Sequence, residues 1–282
     1  MDKVKEPQSQ EKSKEKTKEA PKTPHLPVGI IDSHAHVMKE YFGEEQEEVI
    51  ARAFEQNVVA MVNPAVTVDG MPELFELAER HDRIHLAAGQ HPHEAKDWTP
   101  ALREKLIAAL DHPRVVAVGE CGLDYYYNNS VREEQLLCFG EQIDLAVERD
   151  LPIIVHCRDA WDDAFELLAS RGKGKLRGVF HCFTGGPDQL PAIAKLDFYV
   201  SFSGILTYSS AKEIQAAAPL VAENRILVET DCPFLAPQKV RGKRNEPSYV
   251  WFTAEKLAAL RDVELQTLAP RLCQNTRELF RL

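Results

Sequence analysis

Val28-Gly29-Ile30-Ile31-Asp32-Ser33-His34-Ala35-His36 carries a short β-branched run straight into two histidines at i and i+2. The apolar part is too short for a helix and rich in residues that suit a pleated, half-buried surface. Runs of the same kind recur at 58–62, 84–88, 115–118, 153–155, 178–180, 198–202 and 226–228, which with 28–31 makes eight. Between them, apolar residues fall at helical spacing over 44–56, 72–80, 102–110, 133–148 and 160–170. Thr99-Pro100 puts proline at a first helical position, and Ser130 followed by Glu133 reads as a capping box. Eight strands alternating with helices predict parallel β-α-β units, whose natural closure is a (β/α)8 TIM-like barrel of the α/β class. A doubly wound open sheet is the alternative, weakened because no G-x-G-x-x-G follows the first strand.

The length of 282 residues suits one such barrel, here expected over 28–282. Residues 1–27 alternate Lys, Glu, Gln, Ser and Pro and hold too little apolar surface to offset their ordering entropy, so a disordered charged tail is expected there. Residues 2–22 hold seven Lys and five acidic residues, a net of +2, which leaves −12 for the rest of a chain whose total is −10. An acidic body argues against a broad basic saddle for duplex DNA, but leaves room for a small basic mouth. No apolar run reaches the ~18–20 residues of a membrane span. The six cysteines show no framework spacing, so a reducing, cytoplasmic setting is expected. No obligate protein partner is readable.

In a parallel barrel, functional side chains project from the carboxyl ends of the strands. Asp32, His34 and His36 follow the first strand, and period-two alternation would set them on one face. Alone, H-x-H is a weak signal. The fourth strand, however, runs into Glu120, the fifth into His156, the sixth into His181 and the eighth into Asp231. Four imidazoles and two carboxylates exceed the three protein ligands that a single catalytic zinc needs, and two divalent ions bridged by a carboxylate explain them better. Core histidines satisfied by hydrogen bonds explain His156 or His181 singly, but not the set. Cys121, Cys157, Cys182 and Cys232 each follow a proposed ligand, so alternation should turn them toward the helix layer as packing. A thiolate zinc cluster would need ligands on both faces of the same strands.

Six segments now carry a resemblance: Asp32–His36, Gly89-Gln90-His91-Pro92-His93, Gly119-Glu120-Cys121-Gly122-Leu123-Asp124, His156-Cys157-Arg158-Asp159-Ala160, His181-Cys182-Phe183-Thr184-Gly185 and Glu229-Thr230-Asp231-Cys232-Pro233. In this order they resemble the TatD-type deoxyribonucleases, across residues 28–282. The resemblance implies a metal-dependent hydrolase of the amidohydrolase-like superfamily, a 3′–5′ exonuclease on single-stranded DNA. It implies one metal held by His34, His36, Glu120 and Asp231, and another by Glu120, His156 and His181. It also favours His91 as a phosphate or leaving-group contact. Many relatives in that superfamily bridge their metals with a carboxylated lysine on the fourth strand. The segment 115–120 has no lysine, so Glu120 would take the bridge itself.

Two such ions would activate a water near neutral pH, with Asp231 as the expected proton acceptor and Glu120 as the catalytic bridge. Asp32 and Glu229 either orient ligand imidazoles or make plain structural hydrogen bonds. Arg158 either pairs with a substrate phosphate or forms a salt bridge. His93 reads better as a capping or core residue than as a catalytic one. Tyr125-Tyr126-Tyr127 could stack on a base, with at least one of the three packed inward. Arg241-Gly242-Lys243-Arg244 is a basic cluster that could clamp a backbone or stay solvated. Imidazole ligands favour zinc or manganese, whereas the resemblance implies magnesium. An ester or amide hydrolase on the same scaffold, such as a D-aminoacyl-tRNA deacylase, is the first alternative, and a binding protein with a vestigial site the second.

Overall fold

A computed structural model of the chain describes residues 23–24 and 26–282. Its eight strands are β1 (Ile30–Asp32), β2 (Val58–Pro64), β3 (Ile84–Ala88), β4 (Val115–Asp124), β5 (Ile153–Arg158), β6 (Gly178–Phe180), β7 (Tyr199–Phe202) and β8 (Ile226–Val228). Each pairs in parallel with its sequence neighbours, in the order β1 to β8, with helices on the crossovers. This is the expected barrel. Single bonds rather than a ladder draw the β8–β1 seam together. The Ser33 N–H donates to Val228 O at 3.2 Å, Asp231 N–H to His34 O at 2.9 Å, and His36 N–H to Cys232 O at 2.9 Å.

The helix Pro100–Leu110 starts as its sequence predicts, with the Thr99 hydroxyl accepting the Leu102 N–H at 3.2 Å. The helix Arg132–Glu148 starts one residue later than the Ser130 reading requires. Glu134 reaches back to the Val131 N–H at 3.0 Å, while the Ser130 hydroxyl accepts from Lys96 N–H and donates to His93 O. Ser130 is drawn off because those two backbone groups lie in a loop with no ladder to satisfy them. Most of the charged tail expected over 1–27 lies outside the described residues. Of its last residues, Thr23 donates to the Gln56 side chain at 2.8 Å and Leu26 packs against the core.

Inside the barrel, Val62, Ala87, Ala117, Ile154, Val179, Tyr199 and Leu227 form an apolar layer with Leu279 and Phe280 of the last helix. The larger core lies between strands and helices and includes Ile30, Val118, Cys121, Val155, Cys157, Phe180 and Cys232. Alternation from Ile154 and Val179 carries His156 and His181 to the inner side above the apolar layer. The same count fails on β4, because Ala117 faces inward and Glu120 is an odd number of residues later. A one-residue bulge corrects the parity: Val118 pairs with Ile153, yet Cys121 pairs with Val155. Gly119 makes the bulge, at φ +138° and with so little room that a Cβ would sit 2.8 Å from Ile154 O.

Candidate metal centre

Glu120 is the hub of the site. It is buried, and its two oxygens face different groups. Oε2 lies 3.2 Å from His34 Nε2 and 3.5 Å from His36 Nε2. Oε1 lies 2.6 Å from His181 Nε2, 3.0 Å from His156 Nδ1 and 3.3 Å from His91 Nε2. Asp231 joins the first group, with Oδ1 3.8 Å from His34 Nε2 and 3.7 Å from His36 Nε2. The His34 and His181 rings stack at 3.9 Å between centroids, which places the two groups side by side. All six residues expected as ligands therefore converge, and combinations of them stand close enough to hold ions.

Hydrogen bonding on the far side of each ring decides which nitrogen is free to bind. His36 Nδ1 donates to Pro64 O at 3.2 Å, leaving its Nε2 lone pair toward Glu120 and Asp231. His181 Nδ1 faces Glu229 Oε1 at 3.4 Å, leaving Nε2 toward Glu120. His91 is different: its Nδ1 accepts the His93 N–H at 3.1 Å. Burial lowers the His91 pKa to about 4, so the ring is neutral at pH 7 and its one proton sits on Nε2. His91 thus lies among the ligands but faces Glu120 as a donor.

The electrostatics follow from burial and crowding. Burial opposes charge on Glu120, but His181, His91 and His34 outweigh it and hold the carboxyl well below its ordinary range. Burial pushes Asp231 up to about 7. It lowers His34 to about 4, helped by the neighbouring His181. The cluster fits divalent cations: the Nε2 atoms of His34 and His36 stand 3.1 Å apart, and a buried carboxylate faces ring nitrogens on both sides.

One expectation, that for Cys182, needs correction, and several alternatives left open resolve as follows. β1 ends at Asp32, so His34 and His36 lie in the loop beyond it. Asp32 touches no imidazole; its carboxylate accepts from Thr230 N–H at 2.9 Å, Thr230 hydroxyl at 2.5 Å and His34 N–H at 3.3 Å. A buried carboxylate at the open seam takes the nearest unpaired donors, and these are backbone and hydroxyl. Glu229 does meet a ring, beside His181, and also accepts the Cys182 N–H at 2.6 Å. Cys121, Cys157 and Cys232 pack in the core, but Cys182 lies past the end of β6 at φ 41° and meets the Ser203 hydroxyl at 3.2 Å instead. In the basic loop, Arg244 is paired with Glu45 and lies over Phe42, and Arg241 stacks on Tyr208.

At the mouth, Arg158 lies 4.0 Å from the centroid of Tyr126 and 4.8 Å from that of Tyr127, with no ion pair among the described residues. Tyr126 and Tyr127 are exposed, while Tyr125 is turned to Asp163 at 2.5 Å. Opposite them, the exposed Phe234 packs edge-on against Tyr41 near His36. Sequence reasoning missed Asp124, which binds His93 Nε2 at 3.0 Å and His156 Nε2 at 3.1 Å. Its only signal was an aspartate closing the Gly119–Asp124 segment just before three tyrosines.

Comparison with known proteins agrees with this arrangement. The family profile described as TatD related DNase matches residues 31–281. The chain is 38% identical over 253 residues to an uncharacterized metal-dependent hydrolase, YabD, of Bacillus subtilis, covering 90% of this chain and 99% of that one. It is 33% identical over 257 residues to the 3′-5′ ssDNA/RNA exonuclease TatD of Salmonella typhimurium, covering 89% and 98%. The crystal structure of YJJV, a TatD homolog from Escherichia coli K12, superposes with a TM-score of 0.84 at 28% identity, over 90% of this chain and 98% of that one. With a barrel whose mouth gathers five imidazoles around one buried glutamate, the chain belongs to the TatD related DNase family and is a hydrolase.

Proposed function

We propose that the protein is a 3′–5′ exonuclease on single-stranded nucleic acid, DNA in the first place, working with two divalent ions. The observation that carries this is the division of Glu120: one oxygen faces His34 and His36, the other faces His156 and His181. A carboxylate so placed serves two cations at once, and no lysine is available on β4 for the task. The name of the Salmonella relative supplies the substrate class.

Bound ions would lower the pKa of a water and neutralise charge on the phosphoryl oxygens. Asp231, beside the His34 and His36 rings, would accept the proton that the attacking water gives up. The water oxygen bonds to phosphorus, the bond from phosphorus to the preceding 3′ oxygen breaks, and that oxygen takes up the proton passed to Asp231 and leaves as a hydroxyl. His91 offers its Nε2 proton to an oxygen of the phosphate or the leaving group. Arg158, beside two tyrosine rings and without an ion pair among the described residues, keeps its guanidinium donors free for a neighbouring phosphate, and the exposed tyrosine rings are open to a base.

The test is digestion of a 5′-labelled single-stranded oligonucleotide, which should shorten stepwise from its 3′ end, stop with chelator and resume with Mg²⁺, Mn²⁺ or Zn²⁺. Glu120→Gln should lower turnover on the order of 10²–10³-fold, with the fold retained by circular dichroism. Circular single strands cut as fast as linear ones, or turnover on a D-aminoacyl ester exceeding that on the oligonucleotide, would overturn the proposal.

A further inference from the structure

Asp124 is the last residue of β4 and is fully buried, yet it belongs to neither group of ligands around Glu120. Its backbone is clamped: its N–H donates to Gln135 Oε1 at 2.7 Å, and Gln135 Nε2 donates back to its carbonyl at 3.0 Å. Its carboxylate is fully used. Oδ2 takes the Nε2 protons of His156 at 3.1 Å and His93 at 3.0 Å, and Oδ1 takes the N–H groups of Tyr126 at 3.0 Å and Tyr127 at 2.9 Å. We infer that Asp124 is a positioning residue that couples the metal pocket to the substrate grip. One oxygen fixes His156 with Nδ1 turned into the pocket, and the other fixes the Tyr126–Tyr127 turn on which Arg158 lies.

The chemistry of the groups enforces the first half. A carboxylate has no proton to give, so the ring nitrogens that meet Asp124 donate to it, and His156 holds its Nε2 proton there. Nδ1 stands 3.0 Å from Glu120 Oε1 and 3.4 Å from His181 Nε2, and a cation bound between these groups would displace the proton that Nδ1 shares with Glu120, leaving Nδ1 as the ligand. Partners of this kind set both the tautomer and the aim of a metal-binding imidazole. The second half follows from the turn. Two successive N–H groups on one oxygen hold Tyr126 and Tyr127 at the mouth, and their rings carry the Arg158 guanidinium. Substrate contact and metal ligand thus depend on one side chain, clamped by a buried glutamine.

The two halves can be separated by substitution. Asp124→Asn keeps a carbonyl oxygen for the turn but presents N–H to the imidazole. The ring must then move its proton to Nδ1, which takes the lone pair out of the pocket. Asp124→Ala removes both supports. This inference rests on the two-metal reading, and the experiment tells their failures apart. Wild-type protein and both variants would be titrated with Zn²⁺ by calorimetry, checked for folding by circular dichroism, and assayed for kcat and KM on a single-stranded oligonucleotide. Long-range ¹H–¹⁵N spectra of the zinc-loaded wild type would report the His156 tautomer.

We expect a retained Nε2 proton on His156 in the wild type. In Asp124→Asn, affinity for one of two zinc ions should fall about 10–100-fold, with kcat reduced and KM close to wild type. Asp124→Ala should show the same zinc loss and a raised KM. Should neither variant fold, the wild-type spectrum still decides. A zinc-loaded wild type with His156 protonated only on Nδ1, or an Asn variant binding both ions as tightly as wild type, would overturn the inference. Wild type that binds no zinc would refute the two-metal reading itself.

Discussion

Glu120 and Asp231 are both buried carboxylates, and their surroundings push them in opposite directions. Four imidazoles within 3.3 Å keep Glu120 ionised, whereas Asp231 stands farther from its rings and burial raises it to about 7. A group whose folded pKa is raised holds a proton that a cation must displace. Metal affinity should therefore climb as pH rises from about 5 to about 8, with proton release in that window. Asp231 also favours the metal-free fold most at low pH, and that contribution is lost as pH rises through about 7. Calorimetry in two buffers of different ionisation enthalpy measures the protons released. Asp231→Asn should bind more weakly, with a flatter pH profile. An unchanged profile in that variant would assign the proton elsewhere.

Among the elements, the seam between β8 and β1 is the place where the barrel lacks a ladder. Asp32 is the clasp there, reaching from β1 to Thr230, just beyond β8, through both the backbone and the hydroxyl. Removing its carboxylate would leave three donors without an acceptor at a position with 0% exposure. Asp32→Ala should cost about 2–4 kcal/mol, since each orphaned buried donor is expensive. Urea unfolding of the metal-free protein would measure it, and a loss under about 1 kcal/mol would show the seam to be held by other contacts. The β4 bulge is the other such element. It carries Glu120 inward and Cys121 outward, and without it the hub of the site would face the helices.

For the whole molecule, charge sets the reach of substrate binding. A total formal charge of −10 gives little long-range attraction for a polyanion. Of the basic loop, Arg244 is already spent on Glu45, while Arg241, like Arg158, lies over a tyrosine ring with no ion pair among the described residues. With about two phosphate contacts, KM for a single strand should rise less than ~10-fold between 50 and 200 mM salt. A 100-fold rise would mean an extended backbone track. Blunt duplex of the same composition should be cut more slowly, because a site recessed among strand ends admits a single strand more easily than a stiff helix. Among the described residues no helix is long and apolar enough to cross a membrane.

Strand periodicity and the alternation with helices were enough to read the barrel from the sequence, because both depend on local spacing. The six converging residues were legible for a related reason: each lies near or just beyond the carboxyl end of a strand, and parallel strands of one barrel end on one face. Three features were not legible. The bulge at Gly119 reverses a parity that counting along β4 would assign, and only pairing with β5 reveals it. For Asp32 the sequence left an imidazole partner and a plain structural hydrogen bond equally open, and only the seam supplies Thr230, 198 residues away in sequence. Asp124 drew no attention because its partners His93, His156 and Gln135 come from three separate segments. Residue type and spacing determined which chemistry the chain can hold. Which ring nitrogen is held away from the pocket, for His36 and His156, was decided only where a distant backbone or carboxylate oxygen meets the far side of the ring.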